Sequence, residues 1–166
     1  MSVLVYTENW DGKFKKSSFE LVSYASKVAE MMGTSAVAVS IGNVDEAELK
    51  QLGNYGAQKV ISVNQDNLKT LDSQAYTSVI ATVAEKIGAK VIVVANNNSG
   101  KSIAPRLSVK LKAALGAGVS KLPVSTSPFT VYKRSYSGNA FANLVIKSDV
   151  KILTLAQNSF DITETN

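Results

Sequence analysis

The sequence predicts a three-layer αβα fold with a mostly parallel sheet and antiparallel strands added near the C-terminus. Apolar runs of strand length alternate with helical periodicity as far as residue 95, as expected for consecutive βαβ units. The run 91–95 is apolar at every position, which is typical of a central strand covered on both faces. Three strand-like runs after residue 128 have no helical pattern between them. With 166 residues, 45% of them hydrophobic, the chain is expected to form one domain over residues 1–166.

The chain as far as residue 95 predicts four strands that alternate with three helices. Ser17 and Glu20, three residues apart, predict a capping box at the start of the first helix. Asp45 with Glu48 and then Asp72 predict the starts of the next two helices. The predicted strands are 3–6, 34–41, 59–63 and 91–95, and the predicted helices are 17–33, 45–53 and 72–88.

The region after residue 95 predicts one more helix and then strands. The helix should run from about Ser102 to Ala113, with Pro105 in its first turn, and the Gly-Ala-Gly run 116–118 follows it. The runs 129–136, 139–146 and 151–156 predict an antiparallel extension. Gly138 and Asn139 tolerate positive φ, which suits the first hairpin turn. The polar residues 163–166 are expected to fray.

The composition excludes several kinds of chemistry. The chain has no cysteine and no histidine, which removes disulfides, thiolate nucleophiles, imidazole bases and the commonest metal ligands. We therefore assign no catalytic residue and no metal site. Glu8 and Asp11 lie close together beside Trp10, the only tryptophan, but two acids in a loop do not make an acid–base pair. Trp10 is expected to cover a neighbouring domain or the edge of the core.

The net charge of +5 is spread over predicted helix faces and not gathered in one run. It indicates either a solvated surface or docking to an acidic partner, and no nucleic-acid recognition motif is present. No apolar segment approaches the roughly 20 residues that a membrane span needs, and no basic stretch precedes the first apolar run. We therefore expect a soluble, cytoplasmic protein with no membrane insertion.

The loop after the run 91–95 imitates a phosphate-binding loop. It ends in Gly100-Lys101-Ser102, but Ala95 stands where the P-loop motif requires its first glycine. The residue pattern therefore favours an ordinary helix start over nucleotide hydrolysis. Spare backbone donors at this start form an alternative anion or nucleotide loop, made of Asn98, Ser99, Gly100 and Lys101.

Three segments carry a family resemblance that covers essentially the whole chain. They are Tyr55-Gly56-Ala57-Gln58-Lys59-Val60, Ile103-Ala104-Pro105-Arg106 and Arg134-Ser135-Tyr136-Ser137-Gly138-Asn139-Ala140. In order and spacing they resemble the Y-G-A-D-K-V, L-A-P-R and R-x-x-Y-A-G-N-A patterns of the N-terminal domain of the electron transfer flavoprotein alpha subunit. Gln58 replaces the usual aspartate, and Lys121 stands where that family often has an acid.

The resemblance implies a scaffold domain with an adenine-nucleotide-alpha-hydrolase-like fold and no cofactor of its own. In that family the alpha and beta subunits form a heterodimer, FAD lies mainly in the second alpha domain, and AMP lies in the beta subunit. The complete protein carries electrons from flavoprotein dehydrogenases, such as the acyl-CoA dehydrogenases of fatty acid β-oxidation, to a quinone reductase or another acceptor. The isolated domain could self-associate through the surface that a partner normally covers.

The third segment supplies the candidates for a subunit or interdomain interface. Arg134 and Tyr136, two apart on one strand, should share a face where they either anchor such a contact or cover the sheet. Gly138 suits the backbone geometry of the turn, and Asn139 bonds either across an interface or within its own turn.

Two other function classes are compatible with the predicted sheet. A free-standing adenine-nucleotide-binding module that resembles universal stress proteins would use the loop after the fourth strand, but the glycine-rich phosphate signature of that group is missing. An adenylate-forming enzyme would need a Ser-Gly-Gly-rich loop after the first strand, and residues 7–12 contain one glycine.

Overall fold

A computed structural model describes residues 1–65, 68, 71–135 and 138–165. The strands are β1 Ser2–Tyr6, β2 Asn9–Trp10, β3 Lys13–Phe14, β4 Ser35–Ile41, β5 Lys59–Val63, β6 Ala89–Ala95, β7 Ala114–Val119, β8 Ser125–Thr126, β9 Phe129–Ser135, β10 Ala140–Val145 and β11 Lys151–Leu155. The helices are α1 Lys16–Met31, α2 Glu46–Gln51, α3 Ser73–Lys86 and α4 Asn98–Lys110, and a 3₁₀ turn covers Leu52–Tyr55.

The main sheet has nine strands in the order β10-β9-β7-β11-β6-β1-β4-β5, with β8 paired to β9. The parallel part of the sheet consists of β7, β11, β6, β1, β4 and β5. Antiparallel pairing joins β9 to β7, to β8 and to β10. The separate β2–β3 ribbon follows β1. The predicted mixed fold with a mostly parallel sheet is confirmed.

Helices cover both faces of the parallel region. The first core layer packs α1 against one face, where Val3, Val5 and Val93 are fully buried. The second packs α3 and α4 against the other face over Leu4, Ile92 and other buried side chains. Burial on both faces explains why β1 and β6 consist of unbroken apolar residues. None of the described helices combines the length and apolar character needed to cross a membrane.

The prediction that the last strand belongs to an antiparallel extension is wrong. β11 lies inside the sheet, parallel to β6 on one side and to β7 on the other. Its residues Ile152, Leu153 and Leu155 are at most 2% exposed, so both of its faces need a covering layer. Only residues 146–150 separate β10 from β11. Because this connection is too short to contain a helix, the sequence pattern predicted a hairpin there.

The strand β7 was missed because its centre is rich in glycine. A Cβ on Gly116 would approach the Leu153 side chain to 3.0 Å and the Ile146 side chain to 3.3 Å. The glycine therefore lets two neighbouring side chains pack directly over this strand.

The start of α4 also differs from the prediction. Asn97 is its N-cap, so residues 98–101 form the first helical turn and do not belong to a loop. Pro105 consequently lies well inside the helix and not in its first turn. The Asp72 cap of α3 is confirmed, since its carboxylate accepts hydrogen bonds from the N–H groups of Gln74 and Ala75.

Glu20 does not form the predicted capping box. Helix α1 begins two residues earlier, with Lys15 as its N-cap and no side-chain cap there. The buried Glu20 carboxylate instead accepts hydrogen bonds from the backbone N–H groups of Asn158, Ser159 and Phe160 at 2.8–3.1 Å. It thereby ties the C-terminal segment to α1.

Backbone hydrogen bonds hold Thr163 and Thr165, contrary to the fraying expected for residues 163–166, and Asn166 lies outside the described residues. Thr163 N–H donates to the Ser23 hydroxyl, and Thr165 N–H donates to the Asn54 carbonyl. The C-terminal segment therefore crosses the outer face of α1 and reaches the 3₁₀ turn.

The Glu20→Gln substitution should lower the free energy of unfolding by about 2 kcal/mol, because an amide offers one acceptor oxygen and places N–H groups against buried backbone donors. Urea denaturation measures the change. Glu85→Gln, on the exposed face of α3, is the matched control and should stay within about 0.5 kcal/mol of the unmodified chain. Equal effects of the two substitutions would contradict the role given to Glu20.

Candidate functional site

Two cavities open at the carboxyl edge of the sheet, where ligands of open α/β proteins usually bind. The chain runs from β1 to β4 and β5 on one side and then returns to β6 on the other side of β1, so the loops after β1 and β6 diverge there. The first cavity lies beside this point and is called the crevice below. Its volume is about 560 Å³, and residues after β1 and β4, including Glu8 and Asn43, form much of its wall.

A hydrogen bond joins the two diverging loops. Asn97 donates from Nδ2 to Glu8 Oε2 at 2.8 Å, and its Oδ1 accepts from the Gly100 N–H at 2.9 Å. Glu8 is only 8% exposed. The pair therefore holds a buried carboxylate directly beside the start of α4.

This arrangement does not fit a phosphate. Among the four residues of the alternative anion loop, Gly100 already donates its N–H to Asn97. A Cβ on residue 100 would overlap the Ala95 carbonyl, so this glycine is required for close packing of the helix on β6. Lys101 is exposed, and the nearby negative charge of Glu8 opposes an anion.

Two tyrosines stand against the crevice. Tyr6 and Tyr76 meet edge to face with ring centroids 6.2 Å apart, and the Tyr76 hydroxyl donates to the Leu68 carbonyl at 2.7 Å. Burial raises the pKa of both phenols, and the negative charge of Glu8 raises both further. Both tyrosines therefore remain neutral at physiological pH.

The residues around Trp10 form the β2–β3 ribbon, which hydrogen bonds attach to neighbouring elements. The sequence did not predict this ribbon. Asn9 donates from Nδ2 to the Ile41 carbonyl at 2.8 Å, and Phe14 N–H donates to Glu48 Oε1 at 2.9 Å. The Lys15 ammonium lies 4.2 Å from the Trp10 ring centroid. Trp10 is 38% exposed and lines the crevice, so it shapes a wall of that cavity.

The second cavity is a groove of about 780 Å³ between the ends of β6, β7 and β11 and the β9–β10 hairpin. It is called the hairpin groove below. Lys121 and Arg134 are among its lining residues, and no carboxylate side chain is found among those that the structure describes there. The hairpin groove is therefore cationic where the crevice is anionic.

An aromatic pair forms one wall of the hairpin groove. Tyr132 and Phe141 stack with centroids 5.3 Å apart and planes 20° from parallel. The Lys121 ammonium lies 4.8 Å from the Tyr132 centroid. Phe141 is 60% exposed, although it pairs across the strands with Arg134. An exposed aromatic side chain in a groove that also carries cations is typical of a surface that contacts another molecule.

The predicted interface residues lie around this wall. Arg134 and Asn139 are exposed, and Gly138 adopts φ +93° in the hairpin turn with open space around its α-carbon. That geometry agrees with a backbone role for Gly138. Tyr136 lies outside the described residues.

Tyr132 and Phe141 also belong to this surface, although no sequence motif pointed to them. The alternation of residues along 129–135 and 140–145 could have shown that both face the same side as Arg134. Lys121 was noted only as a departure from a family pattern. Strand β10 ends the sheet and also exposes Leu144 and Val145, at 36% and 46%.

The described residues hold no group of three or more acidic side chains arranged for a metal ion. What they bring together is a sheet edge with two loops joined by hydrogen bonds and a hairpin with an exposed aromatic pair. The fold and this surface define an open parallel-sheet α/β domain suited to contact another molecule.

A family model described as the electron transfer flavoprotein domain matches residues 3–166. The chain belongs to this family.

Three relatives are similar to this chain over most of its length. "Acryloyl-CoA reductase electron transfer subunit beta" of Anaerotignum propionicum is 27% identical over 95% of this chain and 43% of its own length. "Electron transfer flavoprotein subunit alpha" of Clostridium acetobutylicum is 26% identical over 86% and 43%. "Lactate dehydrogenase (NAD(+),ferredoxin) subunit LctC" of Acetobacterium woodii is 26% identical over 88% and 35%. The chain thus spans less than half the length of each of these relatives.

A solved structure of a universal stress protein from Archaeoglobus fulgidus is also similar, with a TM-score of 0.44 and 12% identity. The similarity covers 64% of this chain and 87% of that chain.

The buried tyrosines should make the protein sensitive to alkaline pH. Burial raises the pKa of Tyr24, as it does for Tyr6. A raised folded-state pKa gives stability that is present below the unfolded value of about 10 and is lost as pH rises above it. Above about pH 11, the free energy of unfolding should therefore fall less steeply with pH in the Tyr24→Phe protein than in the unmodified protein. The difference in slope should be about 1.4 kcal/mol per pH unit.

Urea denaturation at several alkaline pH values, with phenolate absorbance recorded in parallel, measures this slope. An unchanged slope in the Tyr24→Phe protein would show that this phenol ionises in the folded state.

Proposed function

We propose that this chain is the N-terminal scaffold and subunit-interface domain of an electron transfer flavoprotein alpha subunit. The observation that carries the proposal is the exposed Phe141, which is stacked on Tyr132 in a groove that Lys121 and Arg134 also line. The family match over residues 3–166 and a relative named as an alpha subunit support the assignment.

In this proposal the hairpin groove receives the beta subunit. Its exposed aromatic side chain supplies apolar area that association would bury, and aromatic and arginine side chains often dominate the binding energy of interfaces. The described cations of the groove favour a partner surface that carries carboxylates. The candidates Arg134, Gly138 and Asn139 belong to the same hairpin or its turn, and the fourth candidate, Tyr136, lies outside the described residues.

The cofactors belong to other parts of the assembly in this proposal. FAD is held by a second alpha-subunit domain, and AMP is held by the beta subunit. The carboxylate of Glu8 beside the start of α4 supports this division, since it does not fit a bound phosphate in this domain.

The assembly would take electrons from a flavoprotein dehydrogenase, such as an acyl-CoA dehydrogenase, and pass them to a quinone reductase. The names of two relatives refer to an acryloyl-CoA reductase and to a lactate dehydrogenase. Proteins named for different redox reactions therefore share the part that resembles this chain. That pattern favours a structural role for this domain, with the choice of redox partner made elsewhere.

The Phe141→Ala substitution tests the interface. We expect about a thirtyfold weaker affinity for the beta subunit of the same organism, because truncation of a central aromatic residue costs about 2 kcal/mol or more. Biolayer interferometry with the natural chain that contains residues 1–166 measures the affinity. Val109→Ala is the matched control, since Val109 is 81% exposed on the distant helix α4.

Equal affinities for the two variants would place the interface elsewhere. An unmodified chain that does not bind the beta subunit, but binds AMP tightly in calorimetry, would instead support a nucleotide-binding module.

A further inference from the structure

Strand β10 is an open edge of the main sheet. It ends the strand order, and among the described residues its paired neighbour is β9 alone. Ile146 N–H donates to the Phe129 carbonyl at 2.8 Å, which fixes the alternation of the antiparallel ladder. The backbone groups of residues 140, 142 and 144 therefore bond toward β9, whereas the N–H and C=O groups of residues 141, 143 and 145 point away from the sheet.

This edge lacks the features that usually protect an edge strand from pairing. The strand sequence Ala-Phe-Ala-Asn-Leu-Val contains no charged residue and no proline, and its register with β9 is unbroken over six residues. Phe141, Leu144 and Val145 are 60%, 36% and 46% exposed. An uncharged edge of this length with exposed apolar side chains is a template for another strand.

The strand is complementary to a second copy of itself. When two β10 strands lie antiparallel about a two-fold axis at Asn143, residue 141 of each copy stands opposite residue 145 of the other. The outward backbone groups of both copies then meet in doubly hydrogen-bonded pairs. Each Phe141 lies beside the other copy's Val145, and an aromatic side chain beside a β-branched one is a favourable cross-strand pair. Each Leu144 lies opposite Ala142, so the exposed apolar side chains are all covered.

Other registers lose part of this match. A slide of two residues places either Phe141 opposite Lys147 or Val145 opposite Asn139, and both of these opposite residues lie outside the strand. A slide of one residue sets the outward groups of one copy against the inward groups of the other. The side chains and the backbone groups of β10 therefore favour the same register.

Charge and contact area indicate a weak, reversible pair. The cation Arg134 lies on β9, and the two β9 strands would be three strand spacings apart, about 14 Å. This separation exceeds the screening length of about 8–10 Å, so repulsion between the copies is small. Because β10 itself carries no charge, a copy of this strand matches it better than a segment rich in carboxylates. The contact of two strands buries less than the roughly 1,200 Å² of a stable interface.

We propose that two copies of this chain pair through the outer edges of β10, antiparallel about a two-fold axis at Asn143, and so form one continuous sheet. The pairing goes beyond the scaffold role proposed above and does not depend on it. Competition between a second copy and the beta subunit for Phe141 is a consequence that does rest on the proposed function.

Sedimentation equilibrium measures the pairing in the natural chain that contains residues 1–166, without the beta subunit. We expect a monomer–dimer equilibrium with a Kd of about 10–100 μM. Amide hydrogen exchange then locates the contact. The N–H groups of Phe141, Asn143 and Val145 should exchange more slowly at high protein concentration than at low, whereas those of Ala142 and Leu144 should exchange slowly at both.

The Asn143→Pro substitution removes one outward N–H and places a ring in the path of the second strand, while an edge strand tolerates proline at such a position. It should weaken the dimer by at least about tenfold. Asn143→Ala keeps the N–H and is the matched control, with an expected change of less than about threefold. Asn143→Lys sets two ammonium groups opposite each other at the axis, and it should weaken the dimer similarly even if the proline variant does not fold.

Three outcomes would overturn the proposal. They are a monomer at every concentration up to about 1 mM, a dimer that survives both the proline and the lysine substitutions, and a dimer without the alternating protection of residues 141, 143 and 145. The beta subunit is absent from these measurements, so each outcome is distinct from a failure of the interface experiment.

Discussion

Burial of β1 and β6 on both faces is the constraint on which the rest of this structure depends. Val3, Leu4 and Val5 of β1 are fully buried, as are four consecutive residues of β6. Two such strands can lie side by side only when helices cover each face, which requires the connections α1 and α3 to pass on opposite sides. The same arrangement makes the loops after β1 and β6 diverge, so the crevice is a direct consequence of how the core is covered.

One edge of the sheet carries two cavities of opposite charge. Glu8 and Asp11 line the crevice, whereas Lys121 and Arg134 line the hairpin groove. Charges that lie on separate surfaces are screened over a distance of about 8–10 Å in physiological salt, so each cavity can select its own ligand. The net charge of +5 describes neither cavity, which is why the overall composition gave little guidance about function.

Local patterns were enough to predict most of the fold from the sequence. Alternating strand and helix periods predicted β1, β4, β5 and β6, and Asp72 marked the start of α3 correctly. The predictions failed where a residue serves a distant partner: Glu20 bonds residues 158–160, and Glu8 bonds Asn97. Neither bond has a local signature. The family was predicted from ordered motifs, but those motifs did not mark Phe141, whose exposure depends on strand pairing.

The position of β11 determines the order in which this chain can fold. Residues 151–155 fill the place between β6 and β7, so the strands on either side cannot join until these residues have left the ribosome. The contacts of residues 158–165 with α1 and the 3₁₀ turn form later still. During synthesis the β6-β1-β4-β5 unit therefore exposes the edge of its most apolar strand. Contacts so distant in sequence slow folding and leave that edge open to chaperones or to other nascent chains.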